Sequence, residues 1–483
     1  MPDGAEMSNR RPGEFSAFRC ESYAATITEL LAPHRGSSRP ALLTPGRAAL
    51  SYSDLSGFLD ETGNRLRALG VGPEHRIAAV LPNGPEMATS FLAVSAWAGF
   101  APLNPGFSQK DCEFHFEESK ADVLLLESGS GSPAAAAAGR CGIPVIHLER
   151  DLVVAGVFRL VGEGVTGSPR GQHRQAALLL PTSGTTSRPK LVPLLQSNLC
   201  ASAAHIAQTL RLTPQDRCLN IMPLFHIHGL VAAVLASMAA GASVVCTDGV
   251  YATRFFDWLE EFQPSWFTAV PTMHQAILSR AAGRRDSIRA ARLRFIRSSS
   301  ASLPPQVLEE VERIFEVPML EAYGMTEAAH QIACNPLPPA ERKPGAVRPA
   351  AGPELAVMNE AGETLPADSI GEVVIRGPNV TPGYEDNPAA NSEAFTNGWF
   401  RTGDQGYLDQ DGYLHLTGRL KELINRGGEK ISPREIDEVM LSHPAVKQAL
   451  SFAVPHAQLG EEVAVAVEIL SMAMNFFTSF SPL

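Results

Sequence analysis

The stretch Pro181-Thr182-Ser183-Gly184-Thr185-Thr186-Ser187-Arg188-Pro189-Lys190 follows directly on the apolar run Ala176–Leu180. A strand that empties into small hydroxylated residues and ends on a lysine suits a phosphate group. Small residues let the backbone come close, hydroxyls and amides donate, and the lysine supplies charge. It is not a Walker loop, which ends in Gly-Lys-Ser/Thr, because Pro189-Lys190-Leu191 stands here. Taken alone, the stretch reads equally well as an ordinary Ser/Thr-rich turn.

Two segments further on carry complementary chemistry. In Tyr323-Gly324-Met325-Thr326-Glu327 a ring can stack on a base, while a hydroxyl and a carboxylate can hold phosphate and Mg²⁺. In Trp399-Phe-Arg-Thr-Gly-Asp404, followed by Gly418-Arg419, an aspartate can accept from two ribose hydroxyls and an arginine can secure the sugar or phosphates. Singly, the first is a strand-to-helix turn and the second a surface turn. Their order along the chain is what gives them meaning.

Around these segments, strand-like runs alternate with helical ones: Arg76–Leu81 before a helix over Glu86–Phe100, then strands at Ala121–Leu126 and Ile143–Leu148. This alternation predicts an α/β architecture of layered, largely parallel sheets. Gly129–Gly139 reads as a solvated connector rich in Gly, Ser and Ala. Gly229–Thr247 reads as a buried helix followed by a strand at Ala242–Cys246, and not as a membrane span. Past Leu414 the composition shifts. Thr417–Gly428 is charged and glycine-bearing, as a hinge would be, and Ser432-Pro433-Arg434-Glu435 is a capping box with proline at the first helical position. Strand candidates Gln448–Val454 and Val463–Leu470 follow.

Together the three segments resemble the adenylate-forming superfamily of acyl-CoA synthetases, luciferases and peptide-synthetase adenylation domains, over about Tyr52 to Leu470. The resemblance implies a large N-terminal domain (1–418), a hinge (419–421) and a small α+β lid (422–470), here incomplete. It implies ATP, Mg²⁺ and CoA as co-substrates and cofactor. Thr182, Ser183, Gly184, Thr185, Thr186 and Lys190 would cradle the phosphates and Tyr323 would stack near adenine. Thr326 would meet phosphate, Glu327 would bind Mg²⁺, and Asp404 and Arg419 would hold ribose. Lys421 would be the pivot, and Gly427 and Gly428 would form the turn presented in the thioester-forming state. One departure is Leu191, where the family usually has glycine; a leucine resists positive φ, so the loop exit is expected to differ.

The acid pocket is expected from Pro223–Gly229, Arg297–Ser302 and His330. Polar groups at His226, Ser300 and His330 suit a short acid with a second carboxylate, because a buried anion must be paired. These stretches also look like the oxalate–CoA ligase branch, in which Ser300 and His330 would meet the distal carboxylate and His226 would mostly shape the pocket. Another short acid is the rival substrate.

The family's adenylation step uses a lysine near the end of the lid, yet no Lys or Arg follows Lys447 through Leu483. Residues 471–483, uncharged and apolar, read as a tail foreign to the family, or else as a natural variant ending that packs over the lid. Losing that cation implies adenylation slowed by about 10²–10³, roughly 3–4 kcal/mol. The rival reading is a nucleotide-binding protein without full turnover.

Bulk properties exclude other classes. At 483 residues the chain exceeds one ordinary core, and its net charge of −11 argues against nucleic acid or anionic membrane as partners. Seven scattered cysteines without a CxxC predict free thiols in a reducing compartment. The polar first fifteen residues show no signal-peptide core, so a cytoplasmic location is expected. The Ser-Pro-Leu ending differs from the Ser-Lys-Leu peroxisomal address, which a complete form could still carry. The sequence sets no oligomeric state.

Overall fold

Short apolar runs buried at almost every position form two sheets whose strands are mostly parallel, the pattern expected of strands covered on both faces. The computed structural model describes residues 23–171, 176–182, 189–249, 251–348, 352–441, 443 and 445–469. The first sheet runs in the order Phe158–Val161, Val145–Arg150, Val123–Glu127, Arg76–Val80, Gly99–Pro102, Leu178–Pro181, Leu191–Leu194, and is antiparallel only at its two outermost pairs. The second runs His330–Cys334, Met319–Met325, Phe295–Ser298, Trp266–Ala269, Arg217–Asn220, Ser243–Cys246, Pro40–Leu43, Leu50–Ser51, again antiparallel only at the ends. The main apolar core draws on strands of both sheets and on the helices packed against them.

A third, antiparallel sheet holds Glu354–Met358, Gly371–Arg376, Trp399–Leu408 and Leu414–Arg419, with two-residue strands Ala346–Val347 and Phe395–Thr396. Along Trp399–Leu408 every second residue is buried, the two-residue period of a strand with one covered face. That alternation turns Asp404 inward, next to Arg419 in the register of the following strand. A small four-stranded sheet follows: Glu429–Ile431, Ile424–Arg426, Gly460–Ile469, Val446–His456. Helix Pro433–Leu441 lies against it, opened by the backbone N–H of Glu435 donating to Ser432 Oγ at 3.4 Å. Its long hairpin leaves Leu450, Phe452, Val465, Val467 and Ile469 exposed.

Several expectations need correction. The stretch 129–139 is not a connector: Pro133–Cys141 is a helix, capped by Ser132 and buried at Ala134, Ala137 and Ala138. Alanine is the strongest helix former, and proline at the first position after a serine cap starts the helix. The helix expected to reach Phe100 ends at Ser95, and Gly99–Pro102 is a strand. The buried helix after Gly229 does exist, but its first part, His228–Leu235, is π-helical, a widening common near functional sites. Leu191 avoids positive φ by starting an extended strand paired with Pro181. Residues 471–483 lie outside the described residues.

Candidate functional site

The C-terminal ends of the parallel strands, where ligands bind in open α/β sheets, converge on the predicted segments. Lys190 and Thr182 face each other where the loop enters and leaves: the Thr182 N–H donates to the Lys190 carbonyl at 2.8 Å, and the Lys190 N–H returns to Thr182 Oγ1 at 3.1 Å. Ser183, Gly184, Thr185 and Thr186 lie outside the described residues. The ammonium of Lys190 sits 4.5 Å from the ring centroid of Tyr384, a cation–π contact. The phenol of Tyr384 donates to Glu327 Oε1 at 2.8 Å. Glu327, on the short turn Thr326–Ala328, is buried, and burial raises its pKa; the Tyr384 hydrogen bond, Arg419 and Lys190 oppose that rise. Thr326 is half-buried on the same turn.

Tyr323 donates to Asp404 Oδ2 at 2.5 Å, and Arg419 Nε reaches Asp404 Oδ1 at 3.0 Å. Asp404 is likewise shifted upward by burial, against Arg419 and the Tyr323 hydrogen bond. Tyr323, Asp404, Arg419 and Ser300 line one cavity of about 370 Å³, together with Glu321 and with Arg434 from the helix Pro433–Leu441.

Ser300 shares its hydroxyl with His228 Nδ1 at 3.0 Å, and His228 Nε2 pairs with Thr268 Oγ1 at 2.6 Å. The His228 and His330 rings meet at 4.8 Å between centroids. Both imidazoles are held well below the ordinary histidine pKa, chiefly by burial, and are therefore neutral. Ser300, Ala329 and His330 all have positive φ, at 72°, 47° and 98°. Such strain in non-glycine residues collects at functional sites. Ser202 Oγ anchors the strained turn by donating to the Ala329 carbonyl at 2.6 Å.

The structure thus places Tyr323, Asp404, Arg419 and Ser300 around one cavity, and it joins Lys190 and Glu327 through Tyr384 in a second cluster whose Glu327 feels the charge of Arg419. His330 packs on the His228 ring that bonds Ser300. His226 is exposed, and the ring in contact with Ser300 is His228 two residues on. Lys421 is exposed at the turn after Arg419, and Gly427 and Gly428, at φ of 62° and 98°, form an exposed hairpin turn. Sequence reasoning missed Tyr384, whose only local signal was the turn Pro382-Gly383 before it. It also missed Glu321 and Arg434, which reach the cavity only through the packing of separate elements. Among the described residues there is no group of three or more His, Cys, Asp or Glu placed to hold a metal by themselves. No described helix is long and apolar enough to cross a membrane.

Comparison with known proteins agrees with the fold and with the order of the motifs. The model of the AMP-binding enzyme family matches residues 32–385. An oxalate–CoA ligase of Arabidopsis thaliana is 44% identical over 441 residues, 89% of this chain and 85% of the relative. An oxalate–CoA ligase of Saccharomyces cerevisiae is 39% identical over 425 residues, 81% of this chain and 77% of the relative. Among solved structures, ATP-bound MatB from Rhodopseudomonas palustris superposes with a TM-score of 0.82 at 27% identity, covering 93% of this chain and 90% of that one. O-succinylbenzoate coenzyme A synthetase from Bacillus subtilis, in complex with ATP and magnesium ion, gives 0.77 at 27% identity, with the same coverage. The α/β fold, the order of the motifs and these likenesses agree: the chain belongs to the AMP-binding enzyme family, among its carboxylate–CoA ligases.

Proposed function

We propose that this chain joins oxalate to CoA at the expense of ATP. The observation that carries the reading is the joining of two clusters, Lys190–Tyr384–Glu327 and Tyr323–Asp404–Arg419, beside a polar pocket of Ser300, His228 and His330. An oxygen of one oxalate carboxylate attacks the α-phosphorus and pyrophosphate leaves. The CoA sulfur then attacks the acyl carbon and AMP leaves. Lys190 and the loop of Thr182 to Thr186 would donate to the phosphates, Thr326 would add a hydroxyl, Asp404 and Arg419 would hold the ribose, and Tyr323 would stack near the base. Glu327 fits Mg²⁺, which takes one or two carboxylates and completes its shell with phosphate oxygens and water; bound there, the ion would offset phosphate charge. Ser300 and His330 would donate to the distal carboxylate, with His226 at the mouth shaping entry. The small domain would swing about residues 419–421, with Lys421 as pivot, to bring Gly427 and Gly428 over the acyl group for thioester formation.

The finer reading concerns the first step. Residues 448–483 contain no lysine or arginine, so within this stretch no side chain can play the part of the family's lid cation. Adenylation by these residues alone is then expected to run about 10²–10³ slower than with that cation in place, and a nucleotide binder without turnover is the limiting case. The test compares oxalate-dependent pyrophosphate release with oxalyl transfer from synthetic oxalyl-adenylate to CoA. Transfer to CoA without acid-dependent pyrophosphate release supports the half-active enzyme. Absence of both, with AMP still bound, leaves the binder. The free state of the six described cysteines supports a reducing compartment.

A further inference from the structure

Arg297, in the strand Phe295–Ser298, has no solvent exposure at all. Its Nη2 donates to Gln331 Oε1 at 3.1 Å, while Nε and Nη1 find no acceptor among the described residues. No described carboxylate pairs with it. The groups of opposite tendency beside it are the thiols of Cys334 and Cys218, which burial keeps protonated. A guanidinium cannot shed its proton to escape burial, so an unpaired one is costly to keep. In the strand register Arg297 stands opposite Thr268, whose hydroxyl pairs with His228 Nε2 at 2.6 Å. His330, whose ring meets that of His228, also has a buried Nδ1 without a partner among the described residues.

The remaining titratable neighbours are imidazoles. His228 and His330 are neutral, pushed down first by burial and then by the charge of Arg297 itself; His274, whose ring meets the Arg297 backbone, is buried and neutral as well. Neutral rings and hydroxyls hydrogen-bond an amide as readily as a carboxylate. A fixed charge behind them does not, because only an anion gains from it.

We propose that Arg297 is the positioning residue that makes the acid pocket prefer a substrate bearing a second carboxylate. The assignment rests on the oxalate reading and adds to it the origin of the charge preference. Arg297 acts through His330 and His228, and its guanidinium stays charged at every pH at which the protein is folded.

The test measures binding of oxalate, and of oxamate, in which an amide replaces one carboxylate, to the full chain saturated with AMP. Wild type is expected to prefer oxalate by at least about tenfold, a preference that stays flat from about pH 6 to pH 9 because arginine does not titrate there. Arg297→Met should bring the two acids to within about threefold by weakening oxalate alone, and Arg297→Lys should restore part of the difference. An Arg297→Met variant that keeps the wild-type preference, or weakens both acids alike, overturns the assignment. If that variant does not fold, the wild-type pH series decides: a preference that disappears between about pH 6 and pH 8 belongs to histidine charge and overturns it. Wild type that binds AMP but neither acid overturns the oxalate reading itself, and this proposal with it.

Discussion

The phenol of Tyr323 and the carboxylate of Asp404 meet at 2.5 Å, although they come from different sheets. Tyr323 lies in the last half of the strand Met319–Met325 of the eight-stranded sheet, and Asp404 lies on the inward face of a strand in the antiparallel one. With Arg419 on its other oxygen, Asp404 is gripped from both sides and its rotamer is set before any ligand arrives. Tyr323→Phe removes a hydrogen bond to a buried carboxylate, worth about 1.5–3 kcal/mol. AMP affinity is expected to fall about tenfold or more, read by calorimetric titration. Unchanged affinity would show that the cavity at Asp404 is not the sugar site.

Glu327 offers a second test, through pH. Burial lifts its pKa and the Tyr384 phenol lowers it. In Tyr384→Phe the lowering contact is gone, so the Glu327 pKa rises further. If the ionised carboxylate is what binds Mg²⁺, the acid limb of Mg²⁺-dependent ATP binding should move to higher pH in the variant. A limb that stays in place would remove Glu327 from the metal's shell.

Gly324 is a place where no side chain fits. A Cβ there would lie 1.6 Å from the His330 carbonyl oxygen, across the bulged hairpin that carries Glu327. Backbone cannot swing aside as a side chain can, so Gly324→Ala is expected to cost about 3 kcal/mol, the upper end of overpacking. Thermal melting should show a clear fall in midpoint. A melt equal to wild type would mean that the hairpin opens far more easily than its packing implies.

Glu321 predicts how stability follows pH. Burial raises its carboxyl from 4.5 to about 7, against two hydrogen bonds from the Gly345 N–H and the charges of Arg434 and Arg342. The folded state therefore holds this proton more tightly than the unfolded chain does. Its stabilising share is complete below pH 4.5, fades as pH rises through about 7, and amounts to roughly 3 kcal/mol. Glu321→Gln should flatten that part of the stability profile, measured by denaturant melts between about pH 5 and pH 8. An unflattened profile would exclude this residue.

Much of this was legible in advance because the chemistry is local in sequence. A phosphate loop, a Tyr-Gly-Met-Thr-Glu turn and a Thr-Gly-Asp strand each keep their parts within a few residues, so their order alone was informative. Tyr384 was not legible, because its partners Glu327 and Lys190 are distant in sequence and only the folded chain joins them. The choice between His226 and His228 depends on which ring the wide π-helical turn sends inward, and a period read from sequence assumes ordinary helix. The helix at Pro133–Cys141 was hidden by composition. A run of alanines between glycines looks like filler until a serine cap and a sheet beneath it are both in place.

The apolar clusters of this molecule stop short of its last part: among the described residues, none beyond Leu416 belongs to any of them. Polar bonds help fasten the small sheet and its helix to the body. Ser432 Oγ bonds the Thr417 carbonyl, the Leu420 N–H bonds the Gly403 carbonyl at 2.9 Å, and Ser302 reaches Glu438 at 3.5 Å. Water can replace each of these, whereas it cannot replace a greasy seam. Such a joint can be undone and remade without exposing oil to solvent, which the swing proposed above about residues 419–421 would require.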